Sequence, residues 1–264
     1  MTMSASTLDL RRPSPHVAEV WLNRPDVRNA FNDDVIAELT ATFGSLAADP
    51  DLRVIVLGGH GKAFCAGADL NWMRAMADYS WERNRADAQA LADMLWAIHS
   101  CPVPVIGRVH GDCYAGGVGL AAVCDVLVAS EAASFCLSEA KLGLLPATIG
   151  PYVVKALGER ASQRYFLTAE RFSATEAHRL GFVHELCAPD QIDERVQALV
   201  TSLVANGPAA VKACKQLVQD VAARPITAEL RDDTARRIAD IRCSAEGKEG
   251  VSAFLQKRSP SWLV

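Results

Sequence analysis

Val105–Leu120 reads V-I-G-R-V-H-G-D-C-Y-A-G-G-V-G-L, and the architecture is read outward from it. Val105–Val109 is a short apolar run of the kind that forms a buried strand. G-D-C-Y-A-G-G follows as a turn, and a short helix is expected over Gly117–Val123. Gly116 and Gly117 then sit at a helix start, where unpaired N–H groups and the helix dipole favour negative charge. A developing oxyanion would be stabilised there. A similar turn lies upstream: R-V-I-V-L at Arg53–Leu57 precedes K-A-F-C-A-G-A-D-L at Lys62–Leu70. Its small residues around Gly67 let a ligand approach the backbone, so the Ala68 N–H is a candidate donor. Alone, this segment reads equally as an ordinary strand-to-helix turn. Two such turns together meet at the C-terminal ends of neighbouring strands, where open α/β sheets place their sites.

The remaining pattern supports an α/β fold. Val17–Leu22 reads as a first strand and Val126–Ala129 as a further buried one. Asp33–Ala48 carries Val35, Ile36, Leu39, Phe43 and Leu46 at helical spacing, with Asn32 as N-cap. Trp81–His99 carries Leu91, Met94, Leu95 and Ile98 on one stripe, and Pro102 and Pro104 end it. Strand and helix alternate, which predicts a largely parallel, right-handed sheet. Ser173–Glu176, S-A-T-E, is a capping box, with Gly181 beyond that helix's end. Asp190–Asn206, Pro208–Ala222, Thr227–Ile241 and Ala245–Lys257 read as helices. The expected division is a core with the site over residues 1–200 and a helical region over 201–264.

The 264 residues are 50% hydrophobic but only 6% aromatic, so the core is aliphatic and alanine-rich. The net charge of −4 and the lack of a basic run argue against a nucleic-acid groove. No stretch is long and apolar enough for a membrane span. M-T-M-S-A-S-T-L-D-L-R-R has no apolar leader segment, and a cytoplasmic location is expected. Cysteines 65, 101, 113, 124, 136, 187, 214 and 243 form no C-x-x-C pair and read as free thiols of a reducing compartment. No cluster has metal-ligand spacing, so no metal is expected. A third segment, F-C-L-S-E-A-K-L-G-L-L-P at Phe135–Pro146, places Glu139 in mostly apolar surroundings, where desolvation would lift its pKa towards useful acid–base values. A solvated glutamate, or one paired with Lys141, is the alternative.

The three segments in this order, with N-R-P-D-V-R-N-A-F-N at Asn23–Asn32 and F-L-Q-K-R at Phe254–Arg258, resemble the enoyl-CoA hydratase/isomerase (crotonase) superfamily. The resemblance runs from about Val17 to Arg258. It implies a spiral of ββα turns with a helical C-terminal trimerisation region, and homotrimers or hexamers. It implies an acyl-CoA thioester substrate, with CoA arriving as part of the substrate and no prosthetic group. The oxyanion hole maps onto the N–H groups of Ala68 and Gly116, and an acid/base carboxylate onto Glu139. Cys65 and Ala66 map onto backbone that meets adenine and pantetheine, and Arg28 onto a CoA-phosphate contact. Phe254 and Lys257 resemble positions that reach CoA from a neighbouring subunit.

One position departs from the pattern. Hydratases of this type carry a second glutamate in G-G-G-x-E, whereas this chain has G-G-V-G-L with Gly119 there. Asp112 would replace the missing carboxylate if turned inward, or else serves as a turn cap. His110 reads as a strand-end hydrogen-bonding residue, and Tyr114 as a substrate donor or a packing residue. P-A-T-I-G-P-Y-V at Pro146–Val153 replaces a glycine-rich P-G-x-G-G-T. It is similar to bacterial methylglutaconyl-CoA or carboxygeranyl-CoA hydratase-like chains of leucine and acyclic terpene breakdown. The leading expectation is hydration of a short or branched 2-enoyl-CoA. The alternatives are a 3-enoyl-CoA to 2-enoyl-CoA isomerase and a non-catalytic acyl-CoA binder.

Overall fold

The computed structural model describes residues 6–263. The first five residues of the segment read for a leader lie outside them. The chain divides into two compact units, Met1–Ala198 and Leu199–Val264.

The first unit opens with strands β1 (Leu8–Ser14) and β2 (Val17–Leu22) and helix α1 (Asp33–Ala47). Then come β3 (Val54–Gly59), β4 (Ala63–Cys65), α2 (Leu70–Met76) and α3 (Trp81–His99). The next stretch is β5 (Val105–Val109), β6 (Asp112–Tyr114), α4 (Gly116–Ala122), β7 (Val126–Ser130) and β8 (Ser134–Cys136). A short 3₁₀ turn covers Glu139–Leu142, before α5 (Gly150–Leu157), α6 (Glu159–Thr168), β9 (Arg171–Ser173), α7 (Ala174–Arg179) and β10 (Glu185–Cys187). Helix α8 (Ile192–Ala205) runs into the second unit, followed by α9 (Pro208–Val221), α10 (Ala228–Cys243) and α11 (Ala245–Leu255).

Successive turns give one strand to each of two sheets. The larger sheet runs β1-β2-β3-β5-β7-β10 and the smaller β4-β6-β8-β9. Thus β3 and β4, β5 and β6, and β7 and β8 are the successive strand couples of three coils of a ββα spiral, one strand in each sheet. From β2 to β10 the large sheet is parallel, with Val56 opposite Ile106 and Gly107 opposite Leu127. β3 is buried along its whole length, as the continuous apolar run required. α1 buries Val35, Ile36, Leu39, Phe43 and Leu46, and α3 buries Met94, Leu95 and Ile98. Each such side chain, fully buried, contributes about 1.5–3 kcal/mol. The Asn32 side chain accepts from Val35 N–H at 3.1 Å, and the Ser173 hydroxyl caps Glu176 N–H, also at 3.1 Å.

Strand β1 is not visible in the sequence pattern. It pairs antiparallel with β2 at the sheet edge and buries only Leu8, so Arg11, Arg12 and Pro13 leave no alternation to read. The strands of the small sheet span three residues each, too short for periodicity. α5 begins at a Gly-Pro step, and proline suits a first helical turn.

In the second unit α9 buries no residue, and α10 and α11 bury only Leu230 and Ala253. Within it, Glu246 accepts from the N–H groups of Ala209 and Ala210, both at 2.9 Å, and so caps α9. Among the described residues no helix is long and apolar enough to cross a membrane. All eight cysteines are free thiols, six of them buried.

Candidate active site

The small sheet sets the site. β4, β6 and β8 are neighbours and parallel, with Cys65 opposite Cys113 and Tyr114 opposite Cys136. Their C-terminal ends lead directly into the Ala66–Asp69 turn, the Ala115–Gly117 turn and the Glu139 turn. The three segments singled out in the sequence therefore lie side by side.

The first of these turns is held from the N-terminal loop. Phe31 N–H donates to the Gly67 carbonyl and Asp69 N–H donates to the Phe31 carbonyl, both at 2.7 Å. This parallel bridge uses the groups flanking Ala68, so the Ala68 N–H points to the opposite side. Among the described residues it has no backbone acceptor. Gly67 takes φ +92°, and a Cβ there would stand 2.9 Å from the Ala115 Cβ. Only glycine allows that backbone angle and that approach between the two turns.

The second turn ends at Gly116, the first residue of α4, whose N–H is one of the helix's unpaired donors. Ala115 before it takes φ 46° and ψ −118°, a strained conformation for a residue with a Cβ. Its N–H is anchored on the Cys136 carbonyl at 2.8 Å. Phe31 is shared by both turns, because its ring edge would lie 2.7 Å from a Cβ on Gly116. Two main-chain donors thus end adjacent strands, with one aromatic residue braced against both.

Glu139 follows β8. It is half-buried, and its Oε2 is shut off from solvent without a hydrogen-bond partner. Burial pushes its pKa above the ordinary 4.5, with its own N–H opposing weakly. Among the described residues no ion pair joins it to Lys141, and its Oε2 lies out of solvent. A neutral carboxyl persisting to higher pH, with one oxygen free, is equipped to give and take a proton.

Other sequence candidates fall into place differently. Asp112 does not turn inward: its Oδ1 accepts from Tyr114 Oη at 2.8 Å and from Ser134 Oγ at 2.9 Å. Strand alternation puts residues 112 and 114 on the face opposite the buried Cys113. Asp112 is therefore neither the replacement carboxylate nor a simple turn cap, and Tyr114 is spent in the same cluster. His110 Nε2 pairs with the Gly61 carbonyl at 3.0 Å, and burial lowers its pKa, which disfavours the charged ring. The Cys65 thiol is pushed up to about 12 by burial and is inert. Ala66 N–H is taken by the Arg28 carbonyl at 3.0 Å, so a ligand contact through that N–H is closed and its carbonyl is what remains. The Arg28 side chain is exposed, on a residue with φ 54°. Phe254 and Lys257 belong to the second unit, where Phe254 is 82% exposed and Lys257 takes φ 53°. Gly119 is buried, and Ile149 lies where its side chain would be.

Three supporting residues escaped the sequence reading, which took only Arg28 from the first turn. Asn29, 1% exposed at φ 56°, donates to the carbonyls of His60 at 2.8 Å and Ala63 at 2.9 Å. It also accepts from Arg24 N–H at 2.9 Å. The Arg24 guanidinium pairs with Asp69 at 2.9 Å and reaches the Ala30 carbonyl at 2.6 Å. Burial works against the Asp69 charge, but the Asn71 N–H, Arg24 and the Trp72 N–H outweigh it and hold the carboxyl below its usual range. A buried asparagine beside an arginine in N-R-P-D-V-R-N-A-F was the available signal. The third is Phe31, whose role depends on a distant pairing.

Known proteins share this fold. The Enoyl-CoA hydratase/isomerase family profile matches residues 13–263. A crystal structure of an enoyl-CoA hydratase from Shewanella pealeana is 41% identical, with a TM-score of 0.93 over 97% of this chain and 96% of that one. One from Mycobacterium smegmatis is 36% identical, with a TM-score of 0.93 over 98% of this chain and 100% of that one. The 2,3-dehydroadipyl-CoA hydratase of Escherichia coli is 32% identical over 91% of this chain and 92% of its own length.

Proposed function

The chain belongs to the enoyl-CoA hydratase/isomerase family, whose members act on acyl-CoA thioesters, and from that premise we propose that it hydrates a short or branched 2-enoyl-CoA with Glu139 as its acid/base. The observation that carries this reading is the buried, unpartnered Glu139 Oε2 on the turn after β8, in the same small sheet whose strands β4 and β6 run into the Ala68 and Gly116 turns. In it, both amides donate to the thioester oxygen. Glu139 takes a proton from water as the C3–O bond forms, and the alkene electron pair moves onto that oxygen. The same carboxyl then returns its proton to C2 as the enolate collapses. The amides contribute by being fixed before charge develops; losing one such donor costs about 10²–10³ in rate. CoA arrives with the substrate, and no prosthetic group takes part.

A relative named for 2,3-dehydroadipyl-CoA, an enoyl thioester with a distal carboxylate, supports a carboxylated acyl group of the methylglutaconyl type. The lone carboxylate favours a second reading, isomerisation of a 3-enoyl-CoA by proton removal at C2 and return at C4. A panel of both thioester classes separates them. Hydration abolishes the conjugated-enoyl absorbance, and isomerisation creates it. Glu139→Gln should leave CoA affinity near wild type and reduce turnover by about two orders of magnitude or more. Wild-type turnover in that variant would remove Glu139 from the reaction. The exposed apolar residues of the second unit, Val218, Ile226, Val251 and Phe254 among them, support assembly into trimers.

A further inference from the structure

Gly119 lies one helical turn past Gly116 in α4. Cα–Cβ bonds lean towards a helix's N-terminus, so a side chain at 119 would grow towards the Gly116 end. That space is filled. A Cβ on Gly119 would stand 2.2 Å from Ile149 Cγ2 and 2.7 Å from Ile149 Cβ, with Leu95 Cδ2 at 3.7 Å behind. Ile149 is 2% exposed and cannot simply swing aside. Its carbonyl accepts the N–H groups of Tyr152 at 3.1 Å and Val153 at 3.0 Å, which ties its backbone to α5. Its β-branch also restricts χ1. The position is not an open notch that water can enter, but a packed contact between α4 and the start of α5.

We infer that Ile149 is a mechanism-determining residue. Its side chain occupies the path along which a second carboxylate would reach the thioester, and so confines the site to chemistry done by Glu139 alone. The inference rests on the reading of Glu139 given above. It makes residues 119 and 149 one unit: position 119 admits no carboxylate unless residue 149 changes with it. It also makes the wall on this side hydrocarbon, so a nucleophilic water is held from Glu139 or from the acyl group itself.

A double-mutant cycle tests the packing, and a second cycle tests the chemistry. Gly119→Ala should lower Tm by roughly 5 °C or more through overpacking, whereas the same change made in an Ile149→Ala background should cost little. Additive Tm changes would overturn the inference. Gly119→Glu alone should be destabilised, whereas Gly119→Glu with Ile149→Ala should hydrate crotonyl-CoA at least about tenfold faster than Ile149→Ala alone. A Gly119→Glu single variant with wild-type Tm and the full gain would overturn it, as would a folded double variant with no gain. Glu139→Gln with undiminished turnover would instead overturn the proposed function, and the Tm cycle would still report on the plug.

Discussion

Glu139 carries an uncompensated oxygen in a desolvated place, which links its chemistry to stability. Burial raises its folded-state pKa above the ordinary 4.5, so the folded chain binds more protons than the unfolded one between those two values. Stability therefore falls as pH rises through that window. Glu139→Gln, which carries no charge, should melt above wild type at pH 8, and the gap should close as pH falls towards 4.5. Thermal scans across pH check this, and a gap independent of pH would show that charge burial is not the cause. The residue was legible in the sequence because it stands as the one carboxylate in an apolar run. Ile149 was not, because thirty positions separate it from Gly119 and no local pattern joins them. The departure P-A-T-I-G was visible, and its steric meaning appears only when α5 is set against α4. Asp112 stayed open in the sequence for a related reason: strand alternation in a three-residue strand leaves no pattern to show which face it takes.

At the scale of elements, the loop between β2 and α1 is a clamp. Asn29 ties it to His60 and Ala63, Arg24 to Asp69, and Phe31 to Gly67 and Asp69. Asn29→Ala removes its partner from three backbone groups and keeps an unfavourable left-handed φ. A loss of about 2–4 kcal/mol is expected, with turnover falling further than stability alone explains because the Ala68 amide loses its alignment. Denaturant midpoints and kcat measured on the folded variant check the two parts. Variants with the expected loss of stability but unchanged kcat would restrict Asn29 to a structural role. The long elements were readable in advance: α3 and β5 have the limits their apolar spacing predicts, and Asn32 caps α1 as its chemistry requires. Edge strand β1 and the small sheet were not, since they are short, or charged, or both. The site nonetheless depends on that small sheet, and its legibility came from turns rather than strands.

For the molecule as a whole, the two units differ in how they treat apolar surface. The first encloses a continuous core around β3 and β5, whereas helices α9, α10 and α11 leave large apolar side chains uncovered. Exposed apolar surface of this extent favours burial against another copy. Sedimentation at micromolar concentration should find a species of about 85 kDa, three copies of the 28.4 kDa chain, or twice that mass. A monomer at that concentration would leave these faces unexplained. Replacing Val218 and Phe254 by Glu should shift the equilibrium towards the monomer.

The two donors of the proposed oxyanion hole belong to the main chain, and that decides what mutation is able to alter. Every residue except proline brings the same N–H, so inheritance rarely erases the grip on the thioester. What lies around it, a carboxyl at 139, a methyl from 149, a hydrogen atom at 119, is open to exchange one codon at a time. Descendants of such a scaffold would keep stabilising the enolate while the fate of that enolate drifted. The strain stored at Ala115 is the fixed cost of that constancy.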